Sequence, residues 1–71
     1  MDLNRFFDGE RVLVTGAAGS VGQALVDGLL ALPVKEVRLL DNNESELFFM
    51  QKRLQSTNRT TAYHADIRDQ R

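Results

Sequence analysis

Seventy-one residues is short for a complete enzyme, and nine Lys and Arg against ten Asp and Glu leave a formal net charge of -1. That balance supplies no basic field for nucleic acid and no polybasic anchor for a membrane. The chain has no Cys, which excludes disulfides, thiol catalysis and thiolate metal sites, and its single His, His64, builds neither a multi-histidine metal site nor a proton relay. With 42% hydrophobic and 27% charged residues the composition is that of an ordinary globular domain. No apolar run is long enough to span a bilayer, and the opening residues lack the apolar core of a secretory signal, so a soluble, cytoplasmic protein is expected.

Residues 1–10 read as a lead-in that lays the rings of Phe6 and Phe7 on a core and ends at Asp8 and Gly9. Residues 11–15 form a short strand whose apolar residues are consecutive, the pattern of a strand covered on both faces inside a parallel sheet. A helix is expected over 20–32, with Val21, Leu25, Leu29 and Leu32 as its apolar stripe and Pro33 as its stop. A second strand, 36–40, ends at Asp41. Asn43 followed three residues later by Glu46 has the form of a capping box, and Leu47, Met50 and Leu54 mark one face of a helix running to about Gln55, with Phe48 and Phe49 widening it. Residues 56–59 turn into a third strand, 60–65, in which Tyr63 and His64 are strand residues and Tyr63 packs. Residues 66–69 read as a loop that begins a further helix.

The order is strand, helix, strand, helix, strand. Crossovers between parallel strands are right-handed in about 98% of cases, so both helices fall on one face of the sheet. The fold class expected is α/β, a partial three-layer Rossmann-type parallel sheet, with residues 11–71 forming one β-α-β-α-β half of a doubly wound fold. In the usual strand order 3-2-1-4, a chain with only the first three strands exposes its first strand as an edge, which predicts self-association through the sheet.

The chemistry lies between the first strand and its helix, in Thr15-Gly16-Ala17-Ala18-Gly19-Ser20-Val21-Gly22. Gly16 suits a positive φ at a tight turn, Gly19 lets the main chain approach a ligand, and Gly22 permits close packing of helix on strand. No charged residue occurs from Val12 to Val26, so an anion here is met by backbone N–H groups and the helix dipole. A triphosphatase loop needs Lys and then Ser or Thr after its last Gly, but Gln23 and Ala24 follow Gly22. The glycine spacing is G-x-x-G-x-x-G, one residue longer than the common dinucleotide turn. Asp41 stands 19 residues beyond Gly22, close to the roughly 20 at which a carboxylate accepts from an adenosine ribose. That acid repels a 2′-phosphate, and Asn42 and Asn43 bring no positive charge, which favours NAD over the alternative, NADP. Asp41 also suits a role in capping the second helix. Asp66 closes the third strand, where its side chain and the Ile67 N–H meet an adenine; a helix cap is the competing role for Asp66.

The runs VLVTGAAGSVGQALV, LLDNNESEL and HADIRD resemble the extended short-chain dehydrogenase/reductase superfamily, and LLDNNESEL is most similar to its nucleotide-sugar 4,6-dehydratases of polysaccharide biosynthesis. The resemblance covers residues 11–69. It implies a pyrophosphate turn at Gly16, Ala18, Gly19, Ser20, Val21 and Gly22, a ribose end at Asp41, Asn42 and Asn43, and an adenine contact at Asp66 and Ile67. In the full-length family, hydride leaves the sugar C4 for the nicotinamide, water is eliminated across C5 and C6, and hydride returns, with a Tyr-x-x-x-Lys pair assisting. Here Tyr63 is the only Tyr and Ile67 stands where the Lys belongs, so no catalytic residue is assigned and the chain alone is expected to be inactive. The expected function is the dinucleotide-binding portion of a nucleotide-sugar dehydratase or epimerase, with a UDP-sugar as substrate only of a full-length protein. A small non-catalytic NAD(P)-binding or sensing module is the alternative.

Overall fold

The computed structural model describes residues 2–64. A short helix, α1 (Leu3–Phe7), leads into β1 (Arg11–Thr15), α2 (Ser20–Leu30), β2 (Glu36–Asp41), α3 (Glu44–Leu54), a 3-10 turn (Gln55–Thr57) and β3 (Thr60–His64). The strands form one parallel sheet in the order β1-β2-β3, with Val14 beside Leu39 and Leu39 beside Ala62. This is the expected partial Rossmann-like α/β fold. The described residues supply two of its layers, the sheet and the helices on one face.

The alternation of side chains along each strand divides the sheet. Val14, Val37 and Leu39 are buried against α2 and α3, together with Val26, Leu29, Leu47, Met50 and Leu54. Leu13, Arg38 and Tyr63 lie on the other face, and Leu13 is 57% and Tyr63 46% exposed. The expectation that β1 is covered on both sides is therefore met on one face only among the described residues. Tyr63, read as a packing residue, is not one here, because it lies on the face away from the helices. Phe7 packs on the core, whereas Phe6 points outward and meets Phe7 edge to face.

α2 differs from expectation in its end and in its rotation. It stops at Leu30, two residues early, and Ala31 and Leu32 donate to Gly28 and Leu29 in a tightened last turn before Pro33. Its buried residues are Gly22, Val26 and Leu29, whereas Val21 is 82% and Leu25 53% exposed. The cause is steric. A Cβ at Gly22 would lie 2.1 Å from the Gly16 carbonyl oxygen and 2.8 Å from the Ala17 Cα, so the helix seats this glycine on the turn and the rest of its face follows. The far end of α2 is held by Arg59, whose guanidinium donates to the carbonyls of Leu30, Leu32 and Val34. α3 is capped as expected, the Asn43 side chain accepting from the Glu46 N–H at 3.1 Å.

Candidate functional site

The carboxyl ends of the strands bring together the turn after β1 and the tip of β2, the edge of an open parallel sheet at which ligands gather. Gly16 adopts φ +65°, which reverses the chain out of β1 at no steric cost to a residue without Cβ. The next three amides are used within the fold. Ala17 N–H donates to the Leu40 carbonyl at 3.2 Å, Ala18 N–H to Asp41 Oδ2 at 2.9 Å, and Gly19 N–H to the Gly16 carbonyl at 3.1 Å.

The three amides that follow, those of Ser20, Val21 and Gly22, are the first of α2, and among the described residues they have no partner. Gly19 is the N-cap and offers no side chain to cap them. Its own environment differs from that of Gly22: a Cβ at position 19 would meet only the Gly16 carbonyl oxygen, at an ordinary 3.5 Å. The fold thus requires a bare Cα at Gly22 and leaves room at Gly19, beside the open amides.

Asp41 points into this turn. Its Oδ2 accepts from Ala18, and its Oδ1 accepts from the Asn43 N–H at 2.9 Å, so one carboxylate ties the β1 turn to the start of α3. The Asn43 side chain is occupied as the cap of α3. Asn42 is exposed, and its carbonyl oxygen lies 3.0 Å from His64 Nε2 at the tip of β3. Asp66 and Ile67 lie outside the described residues. Gln23, which sequence reasoning did not single out, donates from its side-chain amide to the Ala18 carbonyl at 2.9 Å and from its main chain to the Gly19 carbonyl at 2.9 Å. Its only signal in the sequence is a long polar side chain one residue beyond the last glycine.

The remaining charged side chains near β2 sit elsewhere. Arg38 projects from the uncovered face and donates to Glu36 at 2.9 Å, which raises the guanidinium pKa further and keeps it away from the turn. The Thr61 hydroxyl and then Arg38 hold the Glu36 carboxyl below its usual range. No group of three or more metal-ligating side chains occurs among the described residues, and none of their helices is long and apolar enough to cross a membrane.

Comparison with known proteins finds the same fold in solved structures. An uncharacterized membrane protein of Methanocaldococcus jannaschii is 37% identical over 68 residues, which are 96% of this chain and 20% of that protein. Pen from Bacillus thuringiensis shares the fold with a TM-score of 0.83 at 26% identity, over 90% of this chain and 19% of that one. A short chain dehydrogenase/reductase from Burkholderia phymatum, solved in complex with NAD, has a TM-score of 0.77 at 24% identity, over 93% of this chain and 22% of that one. The chain therefore spans about a fifth of the length of each of these proteins. A family model described as polysaccharide biosynthesis protein matches residues 12–71, from the strand before the glycine turn onward, and it is to this family that the chain belongs.

Proposed function

We propose that the chain is the dinucleotide-binding portion of a nucleotide-sugar dehydratase or epimerase of polysaccharide biosynthesis, with NAD as its cofactor. One observation carries the reading: three amides without a partner among the described residues open α2 beside an acid anchored 2.9 Å from the Ala18 N–H. A pyrophosphate takes the amides of Ser20, Val21 and Gly22 and the positive end of the helix, with Gly16, Ala18 and Gly19 shaping the bend. An ionised carboxylate has about four acceptor positions. Asp41 uses two of them on Ala18 and Asn43, which leaves acceptors for a ribose diol flanked by Asn42 and Asn43. Asp66 and Ile67 are assigned the adenine on the resemblance alone. The family match and a fold shared with an NAD-bound reductase support the dinucleotide-binding reading as a whole.

When bound, the cofactor supplies a hydride acceptor. The residues of this chain bind and orient it, and neither Tyr63 nor His64 is assigned a proton. A UDP-sugar is assigned to a full-length protein. NAD is favoured over NADP because a 2′-phosphate would meet the Asp41 carboxylate, while Arg38 is turned to the other face and bonded to Glu36.

Titrating both dinucleotides into the purified chain tests the reading. NAD is expected to bind at least about tenfold more tightly than NADP, since apposed like charges cost several kcal/mol. Gly19→Val is expected to lower NAD affinity by about tenfold or more while the fold persists, because the position is open except for one contact at 3.5 Å. A Gly19→Val chain that binds NAD as well as the parent overturns the pyrophosphate assignment.

A further inference from the structure

The Ala18–Gly19 peptide has an unusual position. Its residues precede the open amides, and Gly19 lacks the Cβ that would restrict rotation of this peptide plane. Its Gly19 N–H points into the turn, at the Gly16 carbonyl 3.1 Å away, and a flip would break that bond and set the Ala18 carbonyl in its place, adding to the turn a negative end that repels an anion. One side chain opposes the flip. Asp41 holds the preceding peptide, through the Ala18 N–H at 2.9 Å, whereas the Gln23 side-chain amide holds the Ala18 carbonyl itself at 2.9 Å. Gln23 also donates its main-chain N–H to the Gly19 carbonyl at 2.9 Å, so one residue draws two successive carbonyls back onto α2. Gln23 is half-buried, and its long side chain lies along the turn rather than in solvent.

We infer that Gln23 is a positioning residue for the anion-binding turn: it fixes the orientation of the Ala18–Gly19 peptide so that only N–H groups face a bound diphosphate. The inference rests on the proposed dinucleotide function but adds a residue outside the glycine pattern. It also explains how the turn can carry a glycine at position 19, open to close approach, without losing the shape that the approach requires.

The test compares ADP with adenosine as ligands of the parent chain and of Gln23→Met, which keeps the length of the side chain and removes its donor. ADP affinity is expected to fall about three- to tenfold, the worth of one hydrogen bond, and adenosine affinity to stay within twofold of the parent. Gln23→Asn, one methylene too short to reach the carbonyl, is expected to behave as the Met variant does and guards against a packing artefact of either residue. Circular dichroism on each variant reports the fold separately. A Gln23→Met chain that is folded and binds ADP like the parent overturns the positioning role, and so does an equal loss for ADP and adenosine. A parent chain that binds ADP no better than adenosine overturns the dinucleotide reading itself, a result that the parent alone delivers.

Discussion

The two ends of α2 are finished in opposite ways. At its carboxyl end the guanidinium of Arg59 reaches across from the start of β3 and takes the carbonyls of Leu30, Leu32 and Val34. At its amino end Ser20, Val21 and Gly22 keep their N–H groups unpartnered among the described residues, and the N-cap is a glycine without a side chain. α3 shows that the chain can close an amino end when nothing else needs it, since Asn43 caps that helix. A helix leaves orphan donors at one end and orphan acceptors at the other, and both ends demand partners. In α2 the acceptors are satisfied from within while the donors stay open among the described residues, and it is on this arrangement that the proposed pyrophosphate site rests.

The strongest way to break this contrast is to unseat the open end. Gly22→Ala would place a methyl group 2.1 Å from the Gly16 carbonyl oxygen, a main-chain atom that cannot swing aside. Alanine favours a helix interior by about 1 kcal/mol over glycine, whereas overpacking costs about 1–3 kcal/mol, and a clash with an immovable backbone atom stands at the upper end of that range, so the clash wins. Thermal unfolding is expected to show a net destabilisation of about 2 kcal/mol, a large fraction of the stability of so small a domain. If Gly22→Ala instead melts at or above the parent temperature, the seating of α2 on the turn is wrong. The contrast with Gly19→Val, expected to spare the fold and impair binding, separates what the glycines do for the chain from what they do for a ligand.

How far the sequence reveals this arrangement depends on whether the signal is local. The strands were legible because β-branched runs end in glycine or acid, and β1 begins and ends where the pattern places it. Asp41 was legible from its distance to Gly22, and its carboxylate does reach the turn. The rotation of α2 was misread because counting apolar side chains gives weight to Val21 and Leu25 and none to Gly22, the residue whose missing side chain sets the packing. Tyr63 was misread because the pattern of a single strand does not say which face the helices cover. Arg59 gave no signal at all, since its partners lie 25 to 29 residues away along the chain. Gln23 was overlooked because its partner is a main-chain carbonyl, which every residue has.

Removing the closed end sharpens the comparison with a smaller effect. Arg59→Ala strips a charged donor from three carbonyls, and hydrogen bonds to charged groups are worth about 1.5–3 kcal/mol each. Water can reach a half-buried site, so the expected loss is about 2 kcal/mol in chemical denaturation rather than the sum of three bonds. Arg59→Lys is expected to recover only part of it, because a point charge on a flexible stem does not span three acceptors as a planar fork does. Both variants are expected to retain the preference for ADP over adenosine, since the amides at the other end are untouched. If Arg59→Ala abolishes that preference while remaining folded, the two ends are not independent and the division of labour along α2 fails.

The smallest effect is expected from a site that touches neither end. On the uncovered face Glu36 accepts from the Thr61 hydroxyl at 2.7 Å and from Arg38 at 2.9 Å, and Arg11 lies 3.8 Å away. These partners stabilise the ionised form and hold the Glu36 carboxyl below its ordinary value of 4.5. A carboxyl whose pKa is lower in the folded than in the unfolded chain stabilises the fold above the unfolded value, and that stabilisation fades as the pH falls through the folded one. Glu36→Gln keeps an acceptor for Thr61 but cannot titrate. Its melting temperature should therefore fall less than that of the parent between pH 7 and about pH 3, while NAD affinity at neutral pH is unchanged. An equal acid-induced loss in both chains would mean that the Arg11, Arg38 and Thr61 contacts do not favour the charged form. A change in NAD affinity would mean that the uncovered face communicates with the turn, which nothing in the hydrogen bonding of Gly16 to Gln23 or of Asp41 leads one to expect.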